Sequence, residues 1–255
     1  MPSTEEIHVD LTQPVSNVLK HGTSKAHEDA EQSQGASWLT KGQLDRDEYI
    51  RFLMMLFHVY ESVSPFCTLI DRTLLTFHII SALEKALSKN ASHPVLEPTI
   101  NIPLLARAPS LGSDIAYLLS APEDTWQSHP SYTAFLLALP KPVKAYTNRI
   151  ESLSDTEPSR LISHAYVRYL GDLSGGQVIK RRVAKSYGID LEEGDEGGHP
   201  GVRFYEFANL EGTHRVASQG DMKKVKEWFR NGMNAGVGSD EQLKRMFVFL
   251  PNEYS

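Results

Sequence analysis

The stretch AYVRYLGDLSGGQVIK, residues 165–180, decides how this chain is read. Leu161, His164, Ala165 and Arg168 enter it at helical spacing, and Val178, Ile179, Arg182 and Val183 carry that spacing onward. Yet Gly171, Gly175 and Gly176 fall within this segment, and each glycine in a helix interior costs roughly 1 kcal/mol relative to alanine. The pattern reads as one long helix over residues 158–187 with a glycine-rich middle. A helix that keeps such residues gains from a bare backbone, through a kink or close approach to a flat ligand. Two other readings account for the glycines: a loop joining two helices, or close helix packing through small residues.

Outward from this stretch, helical periodicity dominates. Val15, Val18 and Leu19 begin an amphipathic run that passes His27 towards Ser33, with Gly35 as its stop. After a turn at Lys41-Gly42, the residues Phe52, Leu53, Leu56, Phe57 and Tyr60 mark one face of a second helix. Residues 90–111 hold Pro94, Pro98, Pro103 and Pro109 and read as an extended connection. Short helices follow at 113–119 and 132–152. An acidic, glycine-rich loop at 190–201 and a short aromatic segment at 202–207 precede a basic amphipathic helix at 221–234. The start of a last helix follows from Asp240. No strand pattern, internal repeat or linker interrupts this, so the chain is expected to be an all-α bundle forming a single domain over residues 1–255.

Composition narrows the function. The 255 residues are 40% hydrophobic and 23% charged, the balance of a globular protein. A net charge of −6 argues against nucleic-acid binding, and Lys180-Arg181-Arg182 reads as a solvated helix face. The single cysteine, Cys67, permits no internal disulfide and suits a reducing compartment. The polar N-terminus is unlike a secretory leader, and the apolar runs are too short and broken to span a bilayer. No P-loop, GxSxG, HExxH or nucleotide-binding glycine fingerprint is present.

Two further constellations can carry chemistry. His27 has Glu31 four residues on, on the same helical face, where the carboxylate can accept the second imidazole N–H. Lys20 lies two turns earlier on that face and can meet an anion. His21 is a rival without a glutamate at that spacing, and an ordinary surface histidine remains an alternative for both. In the basic helix, Lys226 and Arg230 are four apart beside Phe229, a pairing that suits a hydrophobic carboxylate ligand or, equally, a solvated face.

Residues 165–180 are very similar to the signature of the haem (heme) oxygenase family. The order Lys20, His27, Glu31, followed by LDRDEYIRFLMMLFHVY, resembles that family's proximal and second helices. The resemblance implies a helical bundle with haem b sandwiched between a proximal helix and a kinked distal helix. His27 would be the axial iron ligand and Glu31 its partner. Gly171 and Gly175 would let backbone lie against the porphyrin, and Asp172 would hold water that supplies protons on the oxygen-binding side, with Tyr60 supporting that network. Tyr166 would touch the haem, and Lys20, Lys226 and Arg230 would hold its propionates. The implied reaction cleaves haem to biliverdin, carbon monoxide and ferrous iron with O2 and electrons derived from NADPH. In a eukaryote the donor would be NADPH–cytochrome P450 reductase. The expected location is cytoplasmic, or the cytosolic face of the endoplasmic reticulum if an anchor follows.

Two regions depart from the family pattern. Residues 62–81 read as an insertion, because deleting them joins Leu53, Leu56 and Tyr60 to Leu83 and Leu87 at helical spacing, and Pro65 would break that helix. The last helix reads as cut short. These departures give weight to a second reading, a haem-binding or haem-sequestering protein without turnover.

Overall fold

The computed structural model describes residues 9–60, 82–192, 198–212 and 216–248. The expected insertion at 62–81, Cys67 within it, and the residues following Val248 lie outside these. Among the described residues the architecture is all helical, as the periodicity predicts, and no helix is long and apolar enough to cross a membrane.

The helices are α1 (Val15–Gly22), α2 (Ser24–Glu31), α3 (Gln34–Lys41), α4 (Arg46–Tyr60), α5 (Leu83–Lys89), α6 (Ile102–Leu105), α7 (Ala108–Leu119), α8 (Pro130–Leu137), α9 (Lys141–Thr156), α10 (Leu161–Asp172), α11 (Gly176–Tyr187), α12 (Gln219–Val237) and α13 (Glu241–Val248). α4 is the central element and packs on α5, α7, α8 and α9. Its Tyr49, Leu53 and Tyr60 are fully buried, so the face read from sequence does point into the core. α10 lies against α5 and α9, α11 against α3, and α12 against α1 and the segment around Glu97–Thr99.

Several sequence boundaries shift for local reasons. The first amphipathic run is divided at Thr23 and again at Ser33, whose hydroxyl accepts from the Ala36 N–H and starts α3. Gly35 therefore lies inside α3, and the stop is Gly42, at φ 64°. The proline-rich connection is largely helical turns: Pro98, Pro103 and Pro109 each stand in a first turn, where no N–H is missed. Pro140 divides the helix expected at 132–152 into α8 and α9. The basic helix gains a capping box, in which Ser218 and Asp221 satisfy each other's backbone N–H groups.

A buried clamp locks the loop before α12 to the bundle. Arg107, 4% exposed, donates to the carbonyls of Leu104, Leu105, Phe204 and Glu206. Asp114, at 0% exposure, accepts from the backbone N–H groups of Arg203 at 2.9 Å and Phe204 at 2.8 Å. These ties fix Tyr205 beneath the α10–α11 junction.

Candidate functional site: a kinked helix and a basic corner

The long helix expected at 158–187 is interrupted for one turn. Leu173 and Gly175 keep helical dihedrals, but the bonds tighten to i→i−3: Ser174 N–H to the Gly171 carbonyl at 3.2 Å, and Val178 N–H to that of Gly175 at 3.0 Å. The three glycines then part company. A Cβ on Gly176 would meet the Tyr205 ring at 3.3 Å, so this glycine serves internal packing. A Cβ on Gly171 would meet nothing within 4 Å, and one on Gly175 only the Gly171 carbonyl oxygen at 3.6 Å. Nothing in the protein's own packing requires glycine at those two positions. They leave a stretch of bare backbone facing open space.

Beside that stretch stands a preorganised carboxylate. The Tyr60 hydroxyl donates to Asp172 Oδ2 at 2.6 Å, linking α4 to the kink. Burial pushes the Asp172 carboxyl up to about 6, against the Tyr60 bond and the charges of Arg168 and Arg107, which favour the ionised form. Burial and the facing Asp172 hold the Tyr60 phenol well above its usual value. Asp172 is thus a carboxyl poised to exchange a proton near neutrality, held by a fully buried tyrosine.

A basic corner adjoins it. Phe229 anchors α12 edge-on to Tyr169 of α10, with ring centres 6.1 Å apart. Half-buried Lys226 reaches from α12 to the Ser174 hydroxyl in the kink at 3.4 Å. Burial, then Arg230, lowers its pKa, and an anion arriving here would offset the like charge of Arg230 and favour the ammonium form. Arg230 is exposed and acts electrostatically on half-buried Tyr166. α1 is tied to α12 by the Ser16 N–H, which donates to Asn234 Oδ1 at 3.0 Å, and carries exposed Lys20.

α2 differs from everything else in the bundle, since none of its residues is buried. His27 Nδ1 lies 3.6 Å from Glu31 Oε2, the pairing expected from their spacing, and both side chains are about 70% exposed (68% and 71%). α2 packs mainly on its chain neighbours α1 and α3. Those rest on α12 and α11 respectively, so α2 runs between the basic corner and the far side of the kink. The structure thus joins Tyr60 to Asp172 and Lys226 to the kink, and sets Tyr166 within the field of Arg230. His27 and Glu31 meet each other but have no hydrogen bond or ion pair to that group among the described residues.

Sequence reading missed four groups around Asp172. Arg168 precedes it by four residues, a spacing that could have revealed it; it lies 5.5 Å over the Tyr146 ring and within the field of Tyr60 and Asp172. Tyr169, three residues before Asp172, shares that helical spacing, whereas Glu84 and Arg107 reach the cluster through the fold and no local pattern marks them. Lys180, read as solvated, instead pairs with the nearly buried Glu206, which also accepts from His199.

The residues present fit haem. Bare backbone at Gly171 and Gly175 leaves room for a flat ring, Lys20, Lys226 and Arg230 supply cations for two carboxylates, and the exposed imidazole of His27 with a carboxylate partner is a suitable iron donor. Among the described residues, the fold and this arrangement define an all-helical protein with an open glycine face on a kinked helix, flanked by one carboxyl and a basic corner. A family model described as Heme oxygenase matches residues 13–65 and 69–248, and the chain belongs to that family. It is 29% identical over 225 residues to Heme oxygenase 1 of Homo sapiens, covering 88% of this chain and 62% of the relative. It is 30% identical over 200 residues to Heme oxygenase 1 of Nostoc, covering 78% and 68%. The chain therefore spans less than two thirds of the human relative's length. Its fold is similar to that of heme oxygenase-2 from Synechocystis in complex with heme and NO, with a TM-score of 0.70 and 26% identity over 92% of this chain and 78% of that one. Heme oxygenase-1 from the same organism, in complex with heme, gives 0.64 and 25% over 94% and 92%.

Proposed function

We propose that the chain is a haem oxygenase, cleaving haem b to biliverdin, carbon monoxide and ferrous iron. The observation that carries this reading is the Tyr60–Asp172 pair at 2.6 Å beside glycine backbone that nothing in the protein fills. His27, oriented by Glu31, is the residue to hold the iron, while Lys20, Lys226 and Arg230 hold the propionates and Tyr166 packs at the ring edge. When bound, haem supplies both the iron that takes O2 and the ring that is opened. The protein's part is to orient that ring and to deliver protons from one side. Asp172, with a pKa near 6, holds and releases a proton in the working range, and Tyr60 fixes its position. Electrons come from an NADPH-dependent donor, which is cytochrome P450 reductase if the source is eukaryotic.

The test is a hemin titration followed by reduction. A stoichiometric Soret complex whose band is lost with ascorbate or reductase, as biliverdin accumulates, supports the enzyme. A Soret complex that persists under reducing turnover conditions overturns it in favour of sequestration, and no stoichiometric complex overturns both.

A further inference from the structure

Behind Asp172 lies a second carboxyl with no assigned role. Glu84 of α5 is fully buried, at 0% exposure. Its Oε1 accepts the main-chain N–H of Arg107 at 2.5 Å and that of Ala108 at 3.4 Å. The Arg107 guanidinium is occupied elsewhere, donating to four main-chain carbonyls, and makes no hydrogen bond to Glu84. Glu84 Oε2 is buried and has no hydrogen-bond partner among the described residues, and neither does the buried Tyr169 hydroxyl. An ionised carboxylate held this sparingly would carry a large desolvation cost. A neutral acid avoids that cost and has a proton to give.

Each element packed on α5 contributes to its field. α10 presents Tyr169 and Asp172, whose charges act on or feel Glu84, and α4 contributes Tyr60 through Asp172. Arg107, just before α7, opposes them. From α9, Glu151 and Asp155 line an outer groove with Lys85 and Lys89, and Asp155 pairs with Lys89. The Asp172 charge adds a smaller push to Glu84 in the same direction as burial.

We propose that Glu84 is the inner proton-holding residue of this site, re-protonating Asp172 by way of the Tyr169 hydroxyl and intervening water. This rests on the haem oxygenase reading. In the step, the O–H bond at Glu84 breaks and one forms on the Asp172 carboxylate, with no change in electron count. The Glu84 carboxylate left behind keeps the Arg107 and Ala108 N–H bonds and the nearby Arg107 charge until solvent returns its proton. Burial places Glu84 near 7 and Asp172 near 6, so transfer between them is close to balanced.

Glu84 also accepts the first N–H groups of α7, and a merely capping role has to be separated from proton supply. Glu84→Gln keeps an acceptor for those N–H groups and removes the acid. The first measurement needs no haem: infrared titration of protein carrying 13C-labelled glutamate. The expected result is a protonated-carboxyl band that titrates near neutrality, shifts with the label and is missing in Glu84→Gln. A Glu84 band that is missing throughout, because the group is ionised, or that persists unchanged to high pH, because it never releases its proton, overturns the proposal. The second is single turnover of the haem complex across pH. Glu84→Gln should bind hemin within about two-fold of the parent yet form biliverdin on the order of 10-fold more slowly, with Glu84→Asp recovering part of the rate. Glu84→Gln turning over at the parent rate and pH profile overturns proton supply. A parent protein that binds hemin without forming biliverdin instead sinks the oxygenase reading, while the infrared result still decides the protonation of Glu84.

Discussion

α2 and the α10–α11 kink are the two helical elements that would face a bound ring, and they are built in opposite ways. The kink is held from behind. Tyr205 packs under Gly176, Tyr60 grips Asp172, and the Arg107 and Asp114 ties fix the loop that carries Tyr205. α2 buries none of its residues and rests mainly on its sequence neighbours. On the proposed reading, folding alone prepares the side that would handle protons, whereas the side that would hold the iron is left to be completed by what binds it. Preorganisation is worth most where charge and protons must be placed. An axial ligand needs only reach and the right nitrogen.

The largest effect should come from the unburied side. His27→Ala should abolish the histidine-ligated haem spectrum, and added imidazole should restore much of it. Its unfolding free energy should stay within about 0.5 kcal/mol of the parent, as for other exposed substitutions. An unchanged optical spectrum would transfer the ligand role to His21 or another residue and erase the contrast between the two helices.

Next is the buried side. Asp172→Ala should retain hemin binding within a few-fold but reduce biliverdin yield by about 10²-fold, the scale of a lost general acid–base group. Asp172→Asn, which can still accept from Tyr60, should fall between. Product analysis after single turnover settles it, and parent-level biliverdin from Asp172→Ala would reduce the Tyr60 contact to packing.

The basic corner should show a smaller effect. Lys226→Glu or Arg230→Glu sets like charge against a carboxylate and should weaken hemin binding about 10-fold or redistribute the biliverdin isomers. Unaltered affinity and isomer ratio in both variants would leave that face merely solvated.

The glycines give a test with opposite signs. Gly171→Ala should stabilise the haem-free protein by up to about 1 kcal/mol through helix propensity, while weakening hemin binding. Gly176→Ala must displace the Tyr205 ring and should destabilise it. Denaturant unfolding beside hemin titration would show whether the two glycines serve different masters.

Smallest is the pH response of stability. The carboxyls of Glu84, Asp114 and Asp172 are raised to about 7, 7 and 6, so the native state binds more protons than the unfolded chain between about pH 4 and 7. Their contribution is lost as pH rises through that window. Burial lowers His58 and His164 to about 4, so their contribution is lost as pH falls from 6.5 towards 4. The two trends oppose, and with three raised carboxyls against two lowered histidines the net contribution should fall as pH rises. Asp172→Asn removes one carboxyl and should gain relative stability at pH 7 over pH 4.5. Denaturation at both pH values checks this, and the reverse sign would mean Asp172 is ionised at rest.

The sequence by itself determined the helices, the chemical character of both faces and the order of the parts. Residues 165–180 contained the kink, because glycine cost is local and cannot be hidden by packing elsewhere. His27 with Glu31 and Lys226 with Arg230 were legible because a helix places residues four apart side by side. Boundaries at Ser33, Gly35 and Pro140 were misread where a cap or a first-turn proline outweighed the hydrophobic pattern. Only the tertiary structure decided which glycines face outward, since Gly171 and Gly176 differ not in their backbone but in whether Tyr205 lies across from them. It alone brought Glu84 and Arg107 to Asp172, from 88 and 65 residues away in the chain, a separation that only folding closes. Such a cluster depends on shared burial, in which each group's charge is set by neighbours it meets only once the core has formed.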